Sequence, residues 1–279
     1  MYINNHTPFE FIALPNYDKD GREVFTNIVK GTFSLPTNRS LKIAEKQVPI
    51  TMADEYWGEP GVSPLKYEAD LAVFKPTTDL ILVGFAHHYK GDKISSMDVV
   101  FGGGSKKKKA TVEYSEARER IPLALLDSFG EKKGWFGSSR LGNGFGFYPK
   151  QYPPRLKYAG TYDERWRKER FPFLPVDFDY RFFQAAYPEL ITDTYLRGNE
   201  RIFAENVSPG GSILFDLPGI SIEVEAVFEK KSVKSKAMLD TVILEPEEKR
   251  LLLVWRQMVP CHNMTKDIQG FEINISKAA

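Results

Sequence analysis

Apolar and polar positions alternate along much of this chain with the period of two that extended strands impose. Across Glu23–Leu35, residues Phe25, Val29, Phe33 and Leu35 share one parity, with Asn27 and Gly31 between them. That pattern predicts a half-buried strand. Leu80-Ile81-Leu82-Val83-Gly84-Phe85 is continuously apolar, the mark of a strand covered on both faces and a pattern that a short buried helix shares. Ile220, Ile222, Val224, Ala226 and Phe228 alternate with Ser221, Glu223, Glu225 and Val227. Thr241–Glu245 and Leu251–Arg256 are joined by the polar link Pro246–Arg250, which predicts an antiparallel pair, and Phe271–Ile275 alternates as a final strand. Val99–Phe101 and Thr111–Tyr114 flank Gly102–Lys109. This predicts a hairpin with a glycine- and lysine-rich tip, and Lys106–Lys109 as a solvated loop.

The middle of the chain breaks the pattern. From Gly130 to Pro175 it is dense in glycine, proline and aromatics, including Trp135, Phe136, Phe145, Phe147, Tyr148, Tyr152 and Tyr158. Flexible linkers lack such large apolar groups, so the segment is expected to be a long packed loop region. Inside it, Thr161 and Glu164 have the spacing of a capping box. Asp163 and Glu164 suit the positive end of a short helix, Arg167, Lys168 and Arg170 the negative end, and Pro172 stops it. A second short helix is expected over Tyr180–Ala186, ended by Pro188. The expected fold class is mainly β: antiparallel, sandwich-like sheets, a few short helices and the packed loops between. Residues 1–279 read as a single unit; the alternative is two β subdomains, about 1–122 and 155–279, joined by the irregular segment.

Composition narrows the function classes. The net charge of +1 gives no summed field toward nucleic acid. The one cysteine, Cys261, fits a reducing compartment. Asn4, Asn5, His6 and Pro8 stand where a secretory signal would be apolar, and no apolar run is long enough for a bilayer. The expectation is a cytoplasmic protein with neither membrane nor nucleic acid as partner. Metal-ligand spacings are missing, and His87 and His88, adjacent on a strand, would point to opposite faces. Cys261-His262 lacks a third orienting group, so a small buried or half-exposed thiol is expected. Neither Gly102-Gly103-Gly104-Ser105-Lys106 nor Gly142-Asn143-Gly144-Phe145-Gly146 has the spacing of a phosphate or dinucleotide loop. No cofactor is expected.

Three functional readings survive. Asp177 and Asp179, with Asp163 upstream and Glu200 downstream, could serve a carboxylate-dependent hydrolase. Arg165, Arg167, Arg170, Arg181, Arg197 and Arg201 accompany them, however, and arginine–carboxylate pairing would instead hold an irregular region in one geometry. Trp57, Trp135 and Trp166 lie in or near loops while Trp255 falls in a core strand. Trp135 and Trp166 would be the stacking platforms of a carbohydrate-binding module. The third reading is a protein-binding surface, for which aromatic and arginine side chains are the favoured material. On it, Tyr162, Asp163, Arg165, Trp166, Arg170, Asp177, Asp179, Arg181, Arg197 and Glu200 build the recognition surface or its scaffold.

Several blocks carry a resemblance that favours the third reading. They are Ala159-Gly160-Thr161-Tyr162-Asp163-Glu164-Arg165-Trp166, Arg170-Phe171-Pro172, Leu174 to Phe183, and Leu196-Arg197-Gly198-Asn199-Glu200. Upstream, Lys30-Gly31-Thr32-Phe33, Trp57-Gly58-Glu59-Pro60, Pro64-Leu65, Tyr67-Glu68-Ala69-Asp70 and Lys75-Pro76-Thr77-Thr78-Asp79 follow in order. Together they resemble a bacterial family of type VI secretion adaptors or chaperones, encoded beside spike (VgrG) and PAAR-type effector genes. The resemblance runs from Val24 to Arg256, and departs from the family at Ser128-Phe129-Gly130-Glu131, at Arg140-Leu141-Gly142-Asn143-Gly144 and from Ser95 to Pro122. It implies a non-enzymatic protein of the Gram-negative cytoplasm. Its implied partners are the N-terminal or PAAR-linked segment of an effector, and the VgrG spike.

Overall fold

The computed structural model describes residues 1–36, 40–60, 63–87, 96–113, 121–124, 144–263 and 266–277. The strands that carry the architecture are β1 (Tyr2–Asn5), β2 (Glu10–Tyr17), β3 (Glu23–Ser34), β4 (Asp79–Leu82), β5 (Ser96–Gly103) and β6 (Lys106–Glu113), then β7 (Arg201–Ser208), β8 (Gly211–Asp216), β9 (Ile220–Phe228), β10 (Ser232–Glu245), β11 (Arg250–Pro260) and β12 (Ile268–Lys277). The main sheet runs β1-β12-β9-β10-β11-β3-β2, with β4 added beside β10; the second runs β6-β5-β7-β8. Both draw strands from either side of residues 122–155. The chain is mainly β, as its alternation predicts, but the main sheet is mixed: β1 pairs parallel with β12, and β4 parallel with β10. No helix among the described residues is long and apolar enough to cross a membrane.

The expected pair around Pro246–Arg250 forms, with Glu245 opposite Arg250 and Leu239 opposite Trp255. Between Leu239 and Thr241 the register slips by one, leaving Asp240 as the extra residue of a bulge. That irregularity turns a carboxylate inward, where it accepts from Arg256 Nε.

β3 departs from expectation. It is not half-buried: every residue from Val24 to Phe33 is buried. Its odd-numbered face meets an aromatic core, with Phe25 5.5 Å from Phe271, and Phe9 between Phe33 at 5.6 Å and Trp255 at 5.7 Å. Its even-numbered face, which carries Thr26, Lys30 and Thr32, is polar, yet the chain between Ala44 and Val73 covers it. Val48 N–H donates to Thr32 Oγ1, and Lys30 Nζ donates to Thr51 Oγ1 and Asp70 Oδ2, each at 2.8 Å. Alternation reads a polar face as solvent-facing; here each polar group finds a partner in the covering chain, which makes its burial tolerable.

The hairpin between β5 and β6 also differs from its prediction. Only Gly104 and Ser105 form the turn, and all four lysines stand within β6. The pleat alternates them: Lys107 and Lys109 are exposed, while Lys108 is buried. Lys108 Nζ lies 3.2 Å from the Glu189 carboxylate and 4.3 Å above the Tyr187 ring. An ammonium can be buried when a carboxylate and a ring face replace water.

Candidate functional site

The site is built on the segment Tyr158–Phe183, which leans on the β2–β3 turn. Gly160 starts it at φ +78°, and a Cβ there would stand 2.9 Å from Pro175 Cβ and 3.0 Å from Asp177 Oδ1. This position therefore requires glycine on both conformational and steric grounds. Thr161 N–H and Oγ1–H donate to the two oxygens of Asp177, at 2.9 and 2.7 Å.

A short helix, α1 (Glu164–Glu169), follows. The expected capping box is corrected: Asp163 is the cap, its carboxylate accepting Trp166 N–H at 2.8 Å, because Thr161 is already engaged with Asp177. Arg165 pairs with Glu169 at 3.0 Å and Arg167 with Glu164 at 3.4 Å along the helix. Trp166 Nε1 donates to Phe173 O at 2.9 Å, and its ring meets Tyr162 at 4.7 Å and Phe171 at 5.7 Å. Arg170 donates to the carbonyls of Leu174 and Lys19. Phe173 packs on Tyr17 at 5.0 Å, and Lys19 N–H donates to the Tyr180 hydroxyl at 2.8 Å. These contacts anchor the helix to the main sheet although none of its own residues is buried.

The second expected helix shrinks to a 3₁₀ turn, Tyr180–Phe183, capped by Asp179, and Pro188 opens another such turn over Pro188–Leu190 rather than ending a helix. Gln184 leaves the helical region because its amide reaches the Thr77 hydroxyl and Ala185 N–H donates to buried Asp79.

Thr161, Asp163, Arg165, Trp166, Glu169, Arg170, Pro175, Val176 and Asp177 enclose an open cleft of about 620 Å³. Five of the residues expected at a recognition surface thus line one concavity, and Tyr162 borders it through Trp166. Asp179 and Arg181 lie behind it: they pair with each other, and the guanidinium covers the Tyr158 ring at 4.3 Å. Arg197 and Glu200 do not line the cleft. Glu200 closes the turn into β7 by accepting Arg197 N–H at 2.6 Å and Gly198 N–H at 2.9 Å. At Arg165, Arg167 and Arg181 the carboxylate partner is local, while Arg170 ties the segment to more distant chain through carbonyl oxygens.

Apolar exposure is what sequence reasoning missed. Phe171 is 67% exposed, Tyr162 54% and Val176 81%. The signal available was the pair of prolines, Pro172 and Pro175, which stop either residue from joining a helix or an inner strand.

Hydrogen bonds from the Thr161 hydroxyl, then from its N–H, hold Asp177 below the usual carboxylate range, and the Arg181 guanidinium does the same for Asp179. Both are ionised at neutral pH and already partnered, so neither is poised to donate a proton. Trp135, His88 and the departures at residues 128–131 and 140–143 lie outside the described residues. His87 Nε2 sits 3.0 Å from Glu247 Oε1.

Cys261 is buried, and burial pushes its thiol up to about 11. Iodoacetamide at pH 8 should therefore alkylate the folded chain at least about tenfold more slowly than the urea-unfolded chain, since thiolate is the nucleophile. Equal rates would show an accessible, ordinary thiol.

A family model described as "Uncharacterized protein conserved in bacteria (DUF2169)" matches residues 20–113 and 137–256. Comparison with curated proteins and with solved structures gave no match.

Proposed function

We propose that this chain, which belongs to the conserved bacterial family DUF2169, is a non-enzymatic adaptor or chaperone that binds another protein. The observation carrying this reading is the surface at α1. Val176 lines the cleft, and Tyr162 and Phe171, which pack on the lining residue Trp166, are exposed beside it. The backbone beneath them is fixed by bonds from Thr161, Trp166 and Arg170. Exposed apolar groups on a rigid frame bind without a large ordering cost, which is what an interface core requires. Arg165, Glu169, Asp163 and Asp177 supply the polar rim around that core.

The more specific form of the proposal follows the resemblance of the Gly160–Phe183 and Glu59–Asp79 blocks. The bound protein is a type VI secretion effector, held at its N-terminal or PAAR-linked segment, and the adaptor helps seat it on the VgrG spike. The ionised, partnered state of Asp177 and Asp179 favours this reading over a hydrolase. For a sugar-binding module, Trp166 would have to offer an open face, and Tyr162 and Phe171 already meet its ring.

The test is co-expression of the tagged chain with the effector encoded beside its gene. A stable complex, and lost effector delivery in a deletion strain that the wild-type gene restores, are the expected results. No complex together with unimpaired delivery would refute the adaptor reading.

A further inference from the structure

The second sheet ends on an open edge. β8 pairs with β7 on one side and with no other strand among the described residues. Leu217 N–H donates to Glu200 O at 2.9 Å, and Gly104 N–H donates to Arg201 O at 3.2 Å. These two bonds fix the phase of the ladder. Arg201, opposite Asp216, turns its carbonyl away from β8, so Phe215 and Ile213 are the residues that bond to β7. Ser212, Leu214 and Asp216 therefore direct their N–H and C=O groups outward, where none of the six has a partner among the described residues. Their side chains are exposed as well, while Phe215 is buried and Ile213 packs partly buried on the core.

The terminal strands β1, β2 and β6 carry features that discourage pairing with another chain. β2 holds Pro15, β1 is only four residues long, and β6 carries exposed Lys107 and Lys109, with Lys106 tied to Asp193 at 2.6 Å. β8 has none of these. Gly211-Ser212-Ile213-Leu214-Phe215-Asp216 contains neither proline nor lysine, and Leu214 near its centre is 37% exposed. Such an edge is a template for a further strand. The strand that fits it is β8 itself. Antiparallel pairing about Leu214 puts Leu214 opposite its copy and Ser212 opposite Asp216, both as hydrogen-bonded pairs, so all six outward groups of each chain are satisfied. Asp216 then never faces its own copy, where like charges would repel. Its Oδ1 takes Arg201 Nε at 2.9 Å, which leaves Oδ2 to accept the opposing Ser212 hydroxyl. On the core-side face, Ile213 comes to lie opposite the copy's Phe215.

From this self-matching edge we propose that the protein pairs with a second copy of itself, β8 against β8 about a two-fold axis at Leu214. The pairing joins two four-stranded sheets into one of eight strands. The seam is a single strand pair with one apolar contact on its outer face. It is smaller than the interfaces of permanent dimers, so the dimer is weak and exchanges with monomer. β8 shares no residue with the α1 cleft, and the dimer presents two such clefts.

The experiment is sedimentation of the full chain from micromolar to several hundred micromolar concentration, where a reversible monomer–dimer equilibrium is expected. Leu214→Pro should abolish the dimer and leave the melting temperature of the dilute monomer unchanged, because the N–H it removes faces outward. Cross-linking then reads the register. Across the axis the two Leu214 Cα atoms of a hydrogen-bonded pair stand about 5.5 Å apart, within disulfide reach, so Leu214→Cys should oxidise to a covalent dimer. The two Ser212 positions are about 14 Å apart along the strands, so Ser212→Cys should not. The one native thiol, Cys261, is buried and does not compete. If Leu214→Pro fails to fold, the cysteine pair decides. Monomer at every concentration, a dimer that survives in folded Leu214→Pro, or equal cross-linking of the two cysteine variants would overturn the proposal. So would a chain monomeric by itself whose folded Leu214→Pro variant loses a co-expressed effector, which would assign the edge to a strand of that partner.

Discussion

Replacing Arg155 with methionine is expected to destabilise the chain by about 3–5 kcal/mol, the cost of breaking a buried ion pair on one side only. Arg155 is 3% exposed. Its guanidinium holds both oxygens of Glu68, at 2.5 and 2.6 Å, and donates to the carbonyls of Phe182 at 2.6 Å and Tyr148 at 2.7 Å. One side chain thus ties the covering chain, the aromatic middle and the turn beneath the candidate site. In the variant, the cation left beside Glu68 among the described residues is Lys150, 3.6 Å away and 39% exposed. Urea unfolding should show a lower midpoint at constant slope. Adding Glu68→Leu should recover part of the loss, because an apolar pair of similar volume avoids the unpaired charge. Recovery should stop about 1–3 kcal/mol short, since two buried carbonyls still lack a donor. A single-variant cost below about 1 kcal/mol would mean that water relaxes the pair and that it does not fix the region.

That contact also marks where sequence reading ends. Apolar patterning locates β3, β4, β9, β10, β11 and β12, because alternation or, for β4, a continuous apolar run is visible in local sequence. It does not show that Glu68 meets Arg155 or that Lys30 meets Asp70, pairs 87 and 40 residues apart. A charged residue inside a strand looks solvent-facing until its remote partner is known, which is why β3 reads as half-buried and Lys108 as a loop residue. The site was legible as a segment: five of its lining residues stand among those expected from composition and spacing. Arg197 and Glu200, drawn in by residue type and by the Leu196–Glu200 block, serve the turn into β7. Thr161 shows the same limit at short range. Its spacing to Glu164 fits a cap, but Asp177, brought near by Gly160 and Pro175, takes the hydroxyl first.

The adaptor proposal makes its largest functional prediction at the exposed apolar side chains beside the cleft. Phe171→Ala and Val176→Asp together should weaken binding of the co-purified effector at least about thirtyfold, because truncating a central interface anchor costs roughly 2 kcal/mol or more. The folded chain should barely notice. Phe171 and Val176 are 67% and 81% exposed, and substitutions at such positions usually change stability by no more than about 0.5 kcal/mol. Trp166→Ala should lose both properties, since it removes the bond to Phe173 and the ring on which Tyr162 and Phe171 rest. Arg197→Ala is the internal control: exposed but away from the cleft, it should leave affinity and stability unchanged. Calorimetry of the complex and thermal melting of each free variant separate the two effects. If Phe171→Ala/Val176→Asp binds as tightly as the unmodified chain, the partner sits on another face, and the frame of hydrogen bonds around α1 then serves packing alone.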